Sequence, residues 1–317
     1  MKKTFDVVGV GLNATDTLLL VPHFPAYGGK APFVREILSP GGQVASAMVT
    51  CVKLGLRTKY IGSVGDDERG RILMQTLEGS GIDISHVQLR RDCPNQSAYI
   101  VIDQTTGERT ILWQRPDCLR IVPEQITPDQ IHCARLLHID GHDTTAVEHA
   151  ARIAKTGGIP VTVDVDTIYH GFDRVLPYVD YLIASTNFPT EWTSQRDPFL
   201  ALELIQKEYG MKVASMTLGP YGAMALAEGQ FHYSPAFVVN CQDTTGAGDV
   251  FHGAFGYAVI KGYSIDDALD FSNAMAALNC KALGAQGGIQ GLDAARNLIA
   301  TGERRANPDF SSQRARL

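Results

Sequence analysis

No stretch of this 317-residue chain approaches the roughly 18 to 20 consecutive apolar residues that a membrane-spanning helix requires. The opening Met1-Lys2-Lys3 is basic, yet no apolar core and no small-residue cleavage site follow it, so no export signal is read there and the chain is expected to be cytoplasmic. Cysteine is scarce and scattered. The six residues, Cys51, Cys93, Cys118, Cys133, Cys241 and Cys280, form no C-x-x-C pair and have no histidine at zinc-ligand spacing, and they read as reduced thiols that mostly pack. Positive charge is in deficit, with 28 Lys and Arg against 34 Asp and Glu for a net charge of −6. A nucleic acid, whose phosphates need clustered cations, is therefore not an expected partner.

What is present is an ordinary globular composition, 44% hydrophobic and 20% charged, punctuated by 31 Gly and 15 Pro into many short elements. Apolar, β-rich runs at residues 5–10, 60–64, 136–139, 161–165, 181–184 and 213–218 alternate with helix-length amphipathic stretches at 45–54, 69–79, 144–156 and 198–209, with further helices near the end. That alternation predicts an α/β fold with a mainly parallel sheet covered on both faces. Two segments break it. Residues 18–38, with prolines at 22, 25 and 32, and 97–113, folded about Thr106-Gly107, read as antiparallel strands that pair into a small β lid over one edge of the main sheet. The end of the chain, from Glu303, carries Arg304, Arg305, Arg314 and Arg316 among Asn, Pro and Ser, and reads as a solvated extension over 303–317.

The chemistry concentrates after a strand-like run at 237–241. Asp243-Thr244-Thr245-Gly246-Ala247-Gly248-Asp249 leads into a helical run at 250–260 that stops at Gly262. Small residues at 246–248 let backbone N–H groups approach an anion, and the helix start adds free donors and the positive end of its dipole. Asp249 then lies beside the anion site, where a carboxylate can take the proton of an attacking hydroxyl. Asp243 is placed to act on a cation. The plainer reading of the same residues is a tight turn with a capping aspartate.

Residues 243–251 resemble the second signature of the ribokinase-like (PfkB) carbohydrate kinases. The first signature of that family is matched in order by Gly41-Gly42-Gln43-Val44-Ala45-Ser46-Ala47, Leu54-Gly55 and residues 61–70, and a further stretch by Thr217-Leu218-Gly219-Pro220-Tyr221-Gly222, so the resemblance covers nearly the whole chain. It implies a three-layer ribokinase-like sandwich over residues 1–302 with lid segments at about 14–39 and 96–115. It implies a kinase that uses ATP and Mg²⁺, with Asp249 as base and Gly246, Ala247 and Gly248 as the anion hole. Asp16, Asn13, Gly41, Gly42, Gln43 and Ser46 fall where sugar-binding residues lie. Ser46 stands where many members carry Asn. Thr217, Gly219, Gly222, Thr244, Asn273 and Ala277 fall on the nucleotide side. Asp243, Thr245 and Ala285 match the positions of a monovalent cation site, for which K⁺ is the expected ion. The family's Asn-x-x-Glu motif is not clearly matched, because Asn187 and Glu191 are one residue too far apart; a helix entry suits that turn better.

The stretch 107–112 and the run 250–254 resemble the ketohexokinase-like and sulfofructose kinase-like branch, which implies ketose-like substrates, often charged, with Arg109 positioned to meet an anionic group. Relatives also pair their lids across a dimer axis, so a homodimer through the lid is expected. Other readings carry less. Gly9-Val10-Gly11-Leu12-Asn13-Ala14 fits a loose dinucleotide-binding fingerprint, but no helix follows it. Gly28-Gly29-Lys30 lacks the hydroxyl residue and spacing of a P-loop. A nucleoside kinase or a non-catalytic sugar or nucleotide sensor on the same architecture stays open, since fold does not dictate function.

Overall fold

Parallel strands buried on both faces need apolar residues at odd and even positions alike. The computed structural model, which describes residues 3–306, uses the apolar runs in that way. The first half of the chain comprises β1 (Phe5–Val10), β2 (Ala14–Val21), β3 (Arg35–Gly41), α1 (Gln43–Lys53), β4 (Thr58–Ile61), β5 (Ser63–Gly65), α2 (Glu68–Gly79), β6 (Gln88–Arg90), β7 (Ser97–Asp103), β8 (Arg109–Gln114), α3 (Pro128–His132), β9 (Ala134–Ile139) and α4 (Thr144–Thr156). The second half comprises β10 (Val161–Val165), β11 (Tyr181–Ala184), α5 (Phe188–Thr193), α6 (Pro198–Tyr209), β12 (Val213–Thr217), β13 (Ala223–Ala227), β14 (Gln230–Ser234), α7 (Ala247–Lys261), α8 (Ile265–Asn279) and α9 (Leu292–Thr301).

The main sheet has the order β14-β13-β12-β11-β10-β9-β1-β4, parallel from β12 to β4 and closed by the antiparallel hairpin β13–β14. Val8, Leu137 and Val163 pack with α4 and α6 on one face, whereas Val7 and Leu136 pack with α1, α7 and α8 on the other, giving three layers. The chain runs from β1 to β4 on one side and then returns to β9 on the other side of β1. The order therefore reverses between β1 and β9, and a crevice opens there at the carboxyl ends of the strands.

The second sheet has the order β3-β2-β7-β8. Its two hairpin-like pairs are antiparallel, as expected, and are joined by a parallel β2–β7 ladder. Leu18, Ile100 and Ile102 are buried on its inner face with Leu283 against them. Strand side chains alternate, so Arg109, Ile111 and Trp113 share a face of β8 while Thr110 and Leu112 take the other.

Four expectations are corrected. The run 60–64 is two strands: the Tyr60 hydroxyl is held by Gly11 O (2.7 Å), the chain turns at Gly62, and β5 pairs with β6 instead of continuing in the main sheet. The run 237–241 is not a strand, because Phe237 makes only an isolated bridge to Arg304. The same contact shows that the segment from Glu303 is not free. Val238 N donates to Glu303 O, Arg304 bonds Asp270 (2.6 Å) and its guanidinium lies 3.5 Å from the Phe237 ring centroid. Arg314 and Arg316 lie outside the described residues. Finally, Cys93 and Cys118 are not reduced thiols but a disulfide with Cα atoms 6.1 Å apart; the β7–β8 hairpin returns the chain and brings its two flanks together.

Candidate active site

The crevice between β1 and β9 is closed by side chains at strand ends. Asp140, just past β9, accepts a bond from Leu12 N (2.6 Å) and another from His142 N (3.1 Å), which binds the end of β1 to the end of β9. Burial pushes the Asp140 carboxyl up to about 6. One strand over, Asp164 at the end of β10 accepts from Gln43 Nε2 (3.2 Å) and lies 3.1 Å from His252 Nε2. Beyond it, Tyr169 Oη donates to Asp166 (2.8 Å) and lies 3.0 Å from His142 Nε2, and Trp113 of β8 meets His142 edge-on.

Asp16 enters from β2. Its Oδ1 accepts the Ala98 N–H (3.0 Å), its other oxygen faces Gly41, and burial pushes the carboxyl up to about 6 against the opposing influence of Arg69. Gly42 has φ 94°, and a Cβ there would stand 2.4 Å from the Asn13 Cα, so the chain can pass between β3 and α1 only as glycine. Asn13 turns inward: its amide donates to Tyr60 Oη and Ser63 O (both 2.8 Å), leaving Oδ1 buried without a partner. Ser46 is buried and its hydroxyl receives Gln286 Nε2 (3.3 Å), a contact that the sequence reading missed.

The turn before α7 is braced from beneath. Both oxygens of the fully buried Asp243 are engaged, one by Thr245 N and one by Gly284 N (2.8 Å each). Asn279, also fully buried, donates to Thr245 O (3.1 Å) and Ala285 O (3.2 Å) and accepts from Gly288 N (3.1 Å). Gly246 caps the helix at φ 73°, where a Cβ would meet Ala285 O at 2.4 Å. At Asp243, Thr245 and Ala285, the residues expected at a cation site, these oxygens thus each accept an N–H from this chain.

Asp249 occupies the first turn of α7 and is partly buried. Desolvation and the neighbouring Asp164 charge push its carboxyl up to about 7, with His252 and Arg109 opposing and Asp166 adding to the rise. Arg109 reaches across from β8 to hydrogen-bond the Thr244 hydroxyl. The tip of that hairpin lies over Cys241, whose sulfur would be 3.3 Å from a Cβ at Gly107.

On the other flank, Thr217 ends β12 and Gly219 and Gly222 shape the turn that follows it. Asn273 is buried with its amide donating to Ser234 O and Oγ (2.9 Å each), while Ala277 is partly exposed on the same helix. Asn187 leads into α5 as its N-terminal flank, and a cavity of about 640 Å³ lies there, lined by Asn187, Glu191, Met216 and Leu218. Asp140, Asp164 and His252 carry a weak signal in the sequence: two aspartates terminate apolar strands, and one polar residue sits a turn after Asp249 in an apolar helix.

A mainly parallel sheet covered on both faces, with a glycine turn and an aspartate at the start of α7, places the chain among the three-layer α/β proteins. The pfkB family carbohydrate kinase model matches residues 26–290, and the chain belongs to that family. It is a carbohydrate kinase. It is 26% identical over 302 residues to the ribokinase of Haemophilus influenzae, covering 91% of this chain and 96% of that one. It is likewise 26% identical over 301 residues to a 5-dehydro-2-deoxygluconokinase of Clostridium perfringens, covering 87% of each. Among solved structures, the fold superposes with a TM-score of 0.80 on ribokinase of Thermotoga maritima (24% identical, 94% of this chain and 100% of that one). For Arabidopsis thaliana ribokinase complexed with ribose and ATP the TM-score is 0.77 (22% identical, 95% and 100%).

Proposed function

We propose that the protein transfers the γ-phosphoryl group of ATP to a hydroxyl of a small, ketose-like sugar, with Asp249 as the base. The observation that carries this reading is Asp249 itself: a carboxyl of raised proton affinity in the first turn of α7, directly after the Gly246–Gly248 turn, with Asp164, His252 and Arg109 as charged neighbours. In this reading the sugar rests on the free oxygen of Asp16, the backbone at Gly41 and Gly42, and Gln43, with Ser46 held by Gln286 behind them. The Asp249 carboxylate takes the hydroxyl proton as the new O–P bond forms and the bond to ADP breaks. N–H groups of residues 246–248 stabilise the charge that develops.

The second sheet acts as a lid, and Arg109 at Thr244 adds positive charge at the phosphoryl end. Because that arginine is committed to Thr244, while Asp16, Asp140, Asp164 and Asp166 all bring carboxyls to the crevice, a neutral sugar suits the pocket better than an anionic one. The nucleotide is assigned to the flank of Thr217, Gly219, Gly222, Thr244 and Ala277. Asn273 supports it from behind through Ser234. Mg²⁺ neutralises phosphate charge when bound. In this reading the ion is carried mainly on ATP phosphates and water. The relatives named ribokinase, one of them complexed with ribose and ATP, support this pairing of substrates. A row of exposed apolar residues on the outer face of the lid supports a homodimer joined there.

The test is ADP release from Mg-ATP across ketoses, aldoses, their phosphates and sulfonates, and nucleosides. A neutral sugar is expected to be turned over, with the rate reduced roughly 10²–10⁴-fold in Asp249→Asn. Turnover in that variant equal to wild type would remove Asp249 from the base role, and turnover confined to nucleosides would reassign the substrate.

A further inference from the structure

α7 is apolar after its first turn. Val250, Phe251, Ala254 and Phe255 are all buried, yet His252 lies among them at 4% exposure, with Asp164 at 5% as its partner. Across their separation of 3.1 Å, His252 Nε2 donates to Asp164 Oδ1, and Nδ1 is buried with no partner. The same Asp164 oxygen accepts Gln43 Nε2 (3.2 Å), and the other end of the Gln43 amide, Oε1, is also buried and unpartnered. A buried ionisable pair adds little to stability compared with apolar residues of the same shape, and two orphaned polar atoms add a cost. The arrangement is therefore not explained by packing alone. It links Gln43 on the sugar side, through Asp164 and His252, to the helical turn that carries Asp249, since residues three apart on a helix share a face.

We propose that Asp164 and His252 are positioning residues for phosphoryl transfer: the pair fixes the orientation of the Gln43 amide beside the acceptor sugar and keeps negative charge beside Asp249. The proposal rests on the kinase reading above. One N–H of the Gln43 amide is used on Asp164, which fixes the rotation of the amide and leaves its second N–H for a sugar hydroxyl. The Asp164 charge faces Asp249 from β10, Asp166 faces it from the loop beyond, His252 from its own helix and Arg109 from the lid. The neighbouring His138 of β9 stays neutral, its imidazole pushed down to about 3 by burial, and adds no charge to the pair. A base with its proton affinity set near neutrality accepts a hydroxyl proton more readily than an ordinary carboxylate does.

The deciding experiment is a ¹³C titration of the aspartate carboxyls in the intact protein, with the Asp249 signal assigned by its loss in Asp249→Asn. It needs no sugar, so it decides the Asp164 contribution whether or not the substrate panel succeeds. The midpoint is expected near 7 in the wild type and about one unit lower in Asp164→Asn, whose side-chain oxygen can still accept both hydrogen bonds. With the sugar that turns over fastest, the acid limb of kcat/KM should move by the same amount. His252→Gln, which restores an N–H donor toward Asp164, should keep kcat within about threefold of wild type, whereas His252→Leu should lower it by about tenfold or more with the acid limb displaced. An Asp249 midpoint unchanged in Asp164→Asn, or a kcat in His252→Leu equal to wild type, would overturn the proposal.

Discussion

At the scale of single residues, the site is unusual for how many carboxyls it holds away from water. Burial leads the rise in proton affinity at Asp16, Asp140 and Asp249, to about 6, 6 and 7. Such a group stabilises the fold fully below its unfolded value near 4, and that contribution is lost as pH rises through the folded value. His138, pushed down to about 3, works in the opposite direction: its contribution is present above about 6.5 and is lost as pH falls. Three raised carboxyls outweigh the two lowered imidazoles, His138 and the partly buried His86, so the thermal midpoint should fall between pH 5.5 and 7.5 at constant ionic strength, and fall less in Asp249→Asn. A midpoint that rises over that interval would contradict the assignment. Asp249 and Asp16 were legible as site residues because each stands in a motif with a mechanism. Asp164 and His252 were not, since a lone aspartate at a strand end and a lone histidine in a helix read as ordinary until the fold places them 3.1 Å apart.

At the scale of elements, the turn 243–249 owes its shape to side chains that never reach the substrate. Asp243 holds Thr245 and Gly284, and Asn279 holds Thr245, Ala285 and Gly288, so the end of α8 and the loop after it set the position of the proposed anion hole. Asn279→Ala would leave two buried carbonyls and one N–H unpaired and should cost about 1–3 kcal/mol. Denaturant unfolding with an unchanged slope measures this, and a loss near zero would show that water replaces the amide. The helices at 144–156 and 198–209 follow the sequence pattern to the residue because periodicity and burial agree there, with Asp197 capping the second. The β13–β14 hairpin escaped notice for the reverse reason. Ala223-Met224-Ala225-Leu226-Ala227 has weak strand propensity, and pairing with β12 under α8 overrides it.

At the scale of the whole molecule, the lid has two faces with different fates. Its inner face closes on Leu283 and the crevice, whereas Leu38, Tyr99 and Leu112 line up in register across the outer face and are 44%, 52% and 65% exposed. These exposed apolar side chains, with Thr17 between Leu38 and Tyr99, support the proposed homodimer, in which a second copy of the same sheet would cover them. Light scattering coupled to size-exclusion chromatography should therefore give twice the chain mass, reduced to a single chain by Leu112→Lys with Tyr99→Lys. A wild-type monomer at micromolar concentration would end that proposal. No helix among the described residues is long and apolar enough to cross a membrane.

The sequence by itself determined the layered architecture, the small second sheet and the glycine turn with its aspartate at the start of a helix, because these depend on local periodicity and on residues a few positions apart. Only the tertiary structure decided what surrounds that aspartate. Asp164 comes from β10, Gln43 from α1, Arg109 from the lid and Asn279 from the far end of α8, while Cys93 and Cys118 meet at the base of a hairpin. Proton affinity and hydrogen bonding depend on distance through space, and no pattern along the chain encodes that distance until the sheet order brings its strand ends together.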